Sequence, residues 1–300
     1  MMQETTSLTL TVPDLTEALT YFTERLQFRL EMIVPADAPE RVVLFGQGIT
    51  LQLNAAPAAV PAADAAWHEG RAGMQYRDLI PDRLGGRFIA SHIRIPNGGP
   101  VADYVHYHKV RFQMIYCKAG WVRVVYEDQG PSFVLAAGDC VLQPPEIRHR
   151  VLEASPGLEV IEVGSPAIHE TWADHELTLP TSQALPERLF SGQRFVRHRA
   201  QEAPWEPWRV PGFVMRDTGI TAATSGLAGA RVVRAATATT AAVEGHAGEL
   251  LFFFVLQGEV AIDAAAHPLQ AGNSCVIPAQ MNYTLQAGAG LEMLEVSLPA

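Results

Sequence analysis

The feature that most constrains the fold of this chain is an internal repeat in the C-terminal three-quarters of its sequence. The first copy runs from Arg77 to Gly120, and the second runs from Arg216 to Gly258 over a stretch that is shorter by a single position. Two later landmarks recur in the same order: Gly138–Pro144 with Gly272–Pro278, and Leu158–Val163 with Leu291–Val296. Because self-similarity of this kind marks duplicated structural units, we expect two copies of one fold.

Both copies have the sequence pattern of an all-β structure. Short apolar stretches separated by Gly, Pro, Asp and Asn predict β-strands. Examples are Trp121–Tyr126, Cys140–Gln143, Leu158–Val163, Leu251–Leu256 and Leu291–Val296. No helix-length amphipathic stretch interrupts either copy, and strands of this length at regular spacing are typical of sandwiches and jelly-roll barrels. The sequence therefore predicts a mainly β protein with two tandem barrels.

The N-terminal segment, residues 1–55, differs from the repeat and predicts a small βαβββ module. Leu8–Val12 alternates like a strand, and Asp14 can cap a helix in which Glu17 completes a capping box. Three more strands are expected at Arg29–Val34, Arg41–Phe45 and Ile49–Leu53. The phrase VPDLTEALTYFTERLQFRLEM resembles one module of the vicinal oxygen chelate superfamily, which includes glyoxalases and bleomycin-resistance proteins. Such modules usually work in pairs, whereas this chain has one.

The module lacks the metal ligands that the resemblance implies, a His near the start of the first strand and a Glu near the end of the last. Those regions read Thr6-Ser7-Leu8 and Leu53-Asn54. We therefore expect an assembly surface, because a lone module leaves a sheet edge that a second chain can pair with in a homodimer. The expected units are residues 1–55 for the module, 56–72 for an Ala- and Pro-rich linker, 73–168 for the first barrel, 169–212 for a connecting arm and 213–300 for the second barrel.

A histidine pattern in the first copy carries the predicted chemistry. His106 and His108 lie two residues apart, so they face the same side of a strand. His149 follows much later in the chain, in Gly138-x5-Pro144-x-Glu146-x2-His149. Three neutral imidazoles bind Zn, Fe, Ni, Cu or Mn, and the ligand set and metal supply decide among them. The alternative is that they are polar residues on a β-surface.

The two histidine segments resemble the two motifs of the cupin superfamily, whose fold is a double-stranded β-helix (jelly-roll) barrel. The first motif appears as His106-x-His108-x4-Gln113-x6-Gly120, with Gln113 in place of the family's Glu, and the second matches at Gly138, Pro144 and His149. The resemblance covers about ninety residues of each barrel. It implies that His106, His108 and His149 are metal ligands and that Gln113 occupies the fourth ligand position.

Gln113 changes the expected electrostatics of the centre. An amide supplies neither the charge nor the proton acceptor of a glutamate, so a divalent ion keeps its full double charge and favours an anionic partner. Any base must then be metal-bound hydroxide or another group, for which Glu146 is a candidate. Gln113 can alternatively hydrogen-bond a ligating water. Inward positions of the barrel that could shape the pocket are Arg94, Tyr104, Arg123 and Phe133.

The second copy lacks this set of ligands. Its equivalent positions hold Glu244, His246, Leu251 and Tyr283, so we expect a structural barrel, with weak ligand binding as the alternative. The remaining histidines are interpreted as ordinary: His92, His169, His175, His198 and His267.

Composition excludes several partners. The formal net charge of −10 and the lack of a basic run argue against nucleic acid. The longest apolar run, Leu250–Leu256, is too short to cross a membrane. Three cysteines without a CxxC pair are typical of free thiols in a cytoplasmic protein: Cys117, Cys140 and Cys275.

Three functions are consistent with the sequence. The first is a metal-dependent enzyme, most plausibly an Fe(II) dioxygenase-type oxidoreductase acting on a small anionic organic molecule, since many bicupins are oxygenases. The second is a non-redox isomerase, lyase or hydrolase with Zn, Mn or Ni. The third is a non-catalytic small-molecule-binding protein. The choice of the first rests on analogy between folds.

Overall fold

The computed structural model describes residues 6–56, 67–70 and 73–299. The N-terminal module has the predicted βαβββ order. It consists of β1 (Thr6–Val12), α1 (Leu15–Thr20) with a π-helical continuation (Tyr21–Arg25), β2 (Arg29–Val34), β3 (Arg41–Gly46) and β4 (Ile49–Ala55). The Asp14 carboxylate accepts a hydrogen bond from the Glu17 backbone N–H at 2.9 Å, so the helix begins at its expected cap. The expected linker lies largely outside the described residues.

The first barrel is built from short strands in two facing sheets and from one helical turn. Its elements are β5 (His68–Glu69), β6 (Gln75–Asp78), α2 (Arg83–Gly86), β7 (Ile89–Ile95), β8 (Gly99–Pro100), β9 (His106–His108), β10 (Phe112–Ala119), β11 (Trp121–Tyr126), β12 (Phe133–Ala136), β13 (Cys140–Leu142), β14 (His149–Ala154) and β15 (Leu158–Ser165). One sheet has the order β13-β10-β15-β7-β6-β5, and the other contains β9-β14-β11-β12. This is a jelly-roll arrangement.

The connecting segment after β15 forms five short strands, three of which join neighbouring sheets while two pair with each other. They are β16 (Thr171–Ala173), β17 (Leu189–Phe190), β18 (Gln193–Arg194), β19 (Val196–His198) and β20 (Glu206–Pro207). β16 pairs with β2 of the module on one side and with β9 of the first barrel on the other. The module and one barrel sheet are therefore a single continuous sheet, and the β2 edge, which could have paired with another chain, is paired within this one.

The second barrel repeats the two-sheet arrangement. Its elements are β21 (Val214–Asp217), α3 (Ile220–Ala223), β22 (Gly229–Ala235), β23 (Thr239–Val243), β24 (Leu250–Gln257), β25 (Glu259–Ile262), β26 (Leu269–Gln270), β27 (Ser274–Val276), β28 (Tyr283–Ala287) and β29 (Leu291–Leu298). The sheets have the orders β20-β21-β22-β29-β24-β27 and β23-β28-β25-β26. Both barrels and the module thus match the mainly β fold expected from the sequence.

Strand β24 shows why the longest apolar run in the chain belongs between the barrels. Leu251, Phe253 and Val255 point into the second barrel, whereas Phe252 and Phe254 pack against residues of the first barrel. Because side chains alternate across a strand, both faces of β24 are buried from Leu250 to Val255, and every position in this range is apolar. Burying each phenylalanine contributes about 1.5–3 kcal/mol, which holds the two barrels together sheet against sheet.

Candidate metal centre

The first barrel brings the three predicted histidines together. His106 and His108 lie on the same face of β9, and His149 opens β14 directly opposite His106 in the antiparallel register. The ring centroids are 4.2 Å apart for His106 and His149, 5.2 Å for His108 and His149 and 5.1 Å for His106 and His108. All three side chains are buried, and one nitrogen from each lies within 4.8 Å of the others. This spacing suits a single ion shared by three ligands.

Each ring is held through its Nδ1 atom. His106 Nδ1 lies 2.8 Å from the Tyr104 carbonyl oxygen, and His149 Nδ1 lies 3.0 Å from the Ile147 carbonyl oxygen. Since a carbonyl only accepts, both rings carry their hydrogen on Nδ1, and Nε2 is the atom of each ring that can coordinate an ion. His108 Nδ1 meets the hydroxyl oxygen of Thr171, on β16, at 2.8 Å. Rings fixed in this way are typical of metal-binding histidines, so the residues fit a divalent transition-metal ion.

Gln113 lies in the same cavity, with its amide held at both ends. It begins the inward face of β10, a new strand after His108, which explains why an odd sequence offset still points inward. Its Nε2 donates to Glu162 Oε1 at 2.7 Å, and its Oε1 accepts from Gln143 Nε2 at 3.1 Å. Gln143 also approaches His149 Nε2 at 3.3 Å and accepts from the Tyr126 hydroxyl at 2.8 Å. Coordination by Gln113 stays a prediction.

The structure places the side chain of Glu146 outside the cavity, although its backbone N–H donates to the His108 carbonyl at 3.1 Å. Glu146 is exposed on the turn before β14, with a φ of 62°, and it does not line the cavity that contains the triad. Of the other side chains expected to point inward, none lines this cavity: Arg94, Tyr104, Arg123 and Phe133. A catalytic role for Glu146 therefore gains no support from the geometry.

Two titratable residues that the sequence analysis passed over do line the cavity. Glu162 lies on β15, and its repeat equivalent Glu295 occupies the same inward position in the second barrel. Comparison of the two sequence repeats could therefore have identified Glu162 as a candidate. His169, interpreted as ordinary, lies with its ring centroid 5.5 Å from that of His108. Burial lowers the pKa of His169, so this ring is neutral at pH 7. Its position follows from the path of the arm, and no sequence motif marks it.

The cavity is small and mainly apolar. Its free volume is about 120 Å³, somewhat below the 150 Å³ of a cavity that holds benzene. Much of the lining is aliphatic and includes Ile93, Ile95, Ile115, Val122, Leu135, Leu158 and Val160. Among the described residues no lysine or arginine lines it. An ion at the triad would therefore be the principal positive charge in contact with a ligand.

The N-terminal module contributes to this cavity. Ala36 and Asp37, on the loop between β2 and β3, are part of its lining. Asp37 forms an ion pair with Arg83 at 2.6 Å, and Arg83 also contacts Asp78 at 3.0 Å. Burial, the largest single influence, opposes the charge of Arg83, yet the two carboxylates outweigh it and raise the pKa of the guanidinium. The module is thus more than an assembly surface, because its loop closes one side of the candidate centre.

The second barrel carries an ion-pair cluster where the first has its polar site. Glu295 is buried, accepts a hydrogen bond from Arg209 at 2.8 Å and forms an ion pair with Arg231 at 3.1 Å. These residues share a surface depression with the expected positions Glu244, His246, Leu251 and Tyr283. In the part of the chain that the structure describes, the triad of the first barrel is the one group of three His, Cys, Asp or Glu spaced to hold a metal.

The cysteine thiols and the helices bear on two further sequence predictions. The thiols of Cys117, Cys140 and Cys275 are free, and burial raises the pKa of Cys117 and of Cys275 to about 12. No helix within the described ranges has the length and apolar character needed to cross a membrane.

No protein-family model matches the sequence, and no curated protein matches it significantly.

Solved structures do match the fold. An oxalate decarboxylase from Lactobacillus farciminis, in a formate complex, has a TM-score of 0.58 at 15% identity and covers 81% of this chain and 88% of its own. The Bacillus subtilis oxalate decarboxylase at pH 4.6 gives 0.57 at 14%, covering 79% and 75%. A salicylate 1,2-dioxygenase from Pseudaminobacter salicylatoxidans gives 0.52 at 16%, covering 71% of each chain. At these identities the likeness shows the fold, and the chain is a protein of two tandem cupin barrels preceded by a βαβββ module.

Proposed function

We propose that this chain is a metal-dependent enzyme, a dioxygenase-type oxidoreductase that acts on a small organic molecule through an anionic oxygen. The observation that carries the proposal is the convergence of three imidazoles, each fixed through Nδ1, in a mainly apolar cavity. His106, His108 and His149 would hold the ion, and Fe(II) is the proposed metal, with Zn, Mn and Ni as alternatives. The bound metal would supply redox chemistry with O₂ and a charge that attracts the substrate's oxygen.

The residues of the chain have three roles in this proposal. The carbonyls of Tyr104 and Ile147 and the hydroxyl of Thr171 orient the ligand rings, so that the lone pairs meet at one point. The aliphatic lining excludes water and receives the body of the substrate. Gln113 and Gln143 keep the polar side of the cavity fixed through their hydrogen bonds.

The neighbouring folds support the class of reaction by analogy. A salicylate 1,2-dioxygenase shares the fold, and its name states an oxygenase acting on a small aromatic acid. A cavity of benzene size with an apolar lining suits a molecule of that kind.

A non-redox reaction is the second candidate, and Glu162 favours it. This carboxylate lines the cavity and accepts from Gln113, so it stands where it can receive or return a proton of a bound molecule. A Zn- or Mn-loaded centre with a nearby carboxylate suits isomerase, lyase or hydrolase chemistry.

Metal analysis and oxygen uptake test the proposal. Protein purified without added metal should contain about one iron per chain and should consume oxygen with compact aromatic acids. Zinc or manganese without oxygen uptake would support the second candidate, and a protein that binds no metal would support a non-catalytic binding role.

Two variants make the test specific to the triad. His106→Ala should lose the metal, whereas His198→Ala should keep it, because His198 is also buried but lies outside the cavity. Equal metal content in both variants would remove the triad as the metal site.

A further inference from the structure

The candidate centre has a polar end and an apolar end. On the cavity face of β15, the side chains next to Glu162 are Val160 and then Leu158. On the cavity face of β14, the side chain next to His149 is Val151. Ser91 pairs with Glu162 in the sheet register, and Ile93 and Ile95 follow Ser91 along β7. The apolar positions of both sheets belong to one packed cluster, with Val151 at its margin. A ligand is therefore oriented, with its polar head at the triad and its body among the aliphatic side chains.

Two polar groups at this end can serve a ligand. The Ser91 hydroxyl is buried and has no hydrogen-bond partner within the described residues. His169 is nine-tenths buried and contacts the Pro166 carbonyl through Nδ1 at 3.0 Å, so its hydrogen lies on Nδ1 and Nε2 is an acceptor. Both residues line the cavity. Because buried polar groups are nearly always hydrogen-bonded in native proteins, the Ser91 hydroxyl in particular calls for a partner that a ligand can supply.

The charges of the lining set a limit on the head group. The carboxylates that line the cavity are Glu162 and Asp37, and Asp37 is paired with Arg83 at 2.6 Å. Since no lysine or arginine stands in the described lining and Arg83 is paired with Asp37 and Asp78, a second negative charge on a ligand would lie near the Glu162 carboxylate. Like charges at close range in a partly buried site repel strongly.

We propose that the cavity selects a compact, mainly apolar molecule of about one ring in size whose head group is neutral or singly charged, and that Ser91, Glu162 and His169 contact this head. The proposal rests on the function proposed above, because the metal of that function draws the head to the triad. It adds that compact dianions are disfavoured and that Glu162 is the residue that disfavours them.

The first experiment uses two chelating probes on zinc-loaded protein, measured by titration calorimetry. Tropolone is a singly charged single ring, and oxalate is a compact dianion. Replacing Glu162→Gln should tighten oxalate binding by at least about fivefold and change tropolone binding by less than about twofold. Glu153→Gln is the matched control, since Glu153 belongs to the same barrel, contacts Arg123 at 3.4 Å and does not line the cavity. An unchanged ratio of oxalate to tropolone affinity in Glu162→Gln would overturn the proposal.

The second experiment needs no metal, so it separates failure of this proposal from failure of the proposed function. Phenol, a neutral ring with one hydroxyl, should bind metal-free protein saturably, whereas oxalate should not. Ser91→Ala should weaken phenol binding by about threefold, as loss of one hydrogen bond predicts, and this small substitution also serves if Glu162→Gln does not fold. Zinc that fails to bind the triad would refute the metal centre alone. Oxalate binding that exceeds phenol binding in metal-free protein would refute the substrate class.

Discussion

The contact between Thr171 and His108 gives the sharpest test of how the candidate metal centre is assembled. Thr171 is fully buried on β16, and its hydroxyl oxygen lies 2.8 Å from His108 Nδ1. The substitution Thr171→Val keeps the shape of the side chain and removes the oxygen. The ring then loses the group that fixes its orientation and its hydrogen on Nδ1.

The expected effects differ for metal binding and for folding. Loss of a hydrogen-bond partner behind a ligand ring weakens metal binding by about 10–100-fold, which corresponds to about 1.4–2.7 kcal/mol. The free energy of unfolding without metal should fall by about 1–3 kcal/mol, because the buried Nδ1 atom of His108 loses its hydrogen bond to Thr171. Competition for Zn²⁺ with a chromophoric chelator measures the first quantity, and urea denaturation in the presence of a chelator measures the second.

Two controls separate the orientation of the ring from general destabilisation. Thr171→Ser retains the oxygen and should bind zinc within about threefold of the wild type. Thr218→Val removes another buried hydroxyl, which donates to the Ala230 carbonyl at 2.7 Å in the second barrel. It should lower stability and leave zinc affinity unchanged. A folded Thr171→Val protein with wild-type zinc affinity would refute the assignment of His108 as a ligand held through Nδ1.

Three other predictions concern charge, pH and assembly. Gln113→Glu places a second carboxylate against Glu162, whose Oε1 lies 2.7 Å from the present Gln113 Nε2. The variant should destabilise metal-free protein and tighten zinc binding about tenfold. Unchanged zinc affinity in the same competition assay would place Gln113 outside the metal's ligands. Burial lowers the pKa of His92 to about 4 from 6.5 in the unfolded chain. Stability linked to His92 is therefore complete above pH 6.5 and is lost as the pH falls towards 4. His92→Gln should flatten the dependence of the urea midpoint on pH, and a slope as steep as that of the wild type would contradict the lowered pKa. The outer strand β1 exposes Leu8 (48%) and Leu10 (44%), and we expect a homodimer to form through this edge. Leu10→Lys should dissociate the dimer, as measured by sedimentation velocity. A monomeric wild type would contradict the prediction.

The sequence predicted the triad because its information is local. Two histidines at spacing two share a strand face whatever the rest of the fold does, and a glycine–proline turn places His149 at the start of the neighbouring strand. The capping residues Asp14 and Glu17 predicted the helix start for the same reason.

The residues that were missed depend on contacts between distant parts of the chain. Trp172 on β16 pairs with Met32, which belongs to the N-terminal module, and a strand as short as β16 cannot show a period. His169 and Asp37 reach the cavity only through this pairing and the loop that it positions. Glu162 differs from them, since comparison of the two repeats shows a glutamate at an otherwise apolar inward position in both.

The same inward glutamate has acquired different surroundings in the two barrels. Ser91 stands opposite Glu162 in the first barrel, whereas Arg231 stands opposite Glu295 in the second. A guanidinium ties Glu295 into an ion pair, while the small serine leaves room beside Glu162. At these equivalent positions the two barrels therefore differ in whether a guanidinium stands beside the inward carboxylate.

The sheet that β16 completes also affects how this gene can be rearranged. The codons of the N-terminal module encode strands whose neighbour, β16, is encoded far downstream, beyond the whole of the first barrel. If these codons were fused to another gene, the encoded sheet would have an unpaired β2 edge, and its loop would have no cavity to close. For recombination, the N-terminal segment, the first barrel and the connecting strands that pair with them, β16 and β19, are consequently one unit.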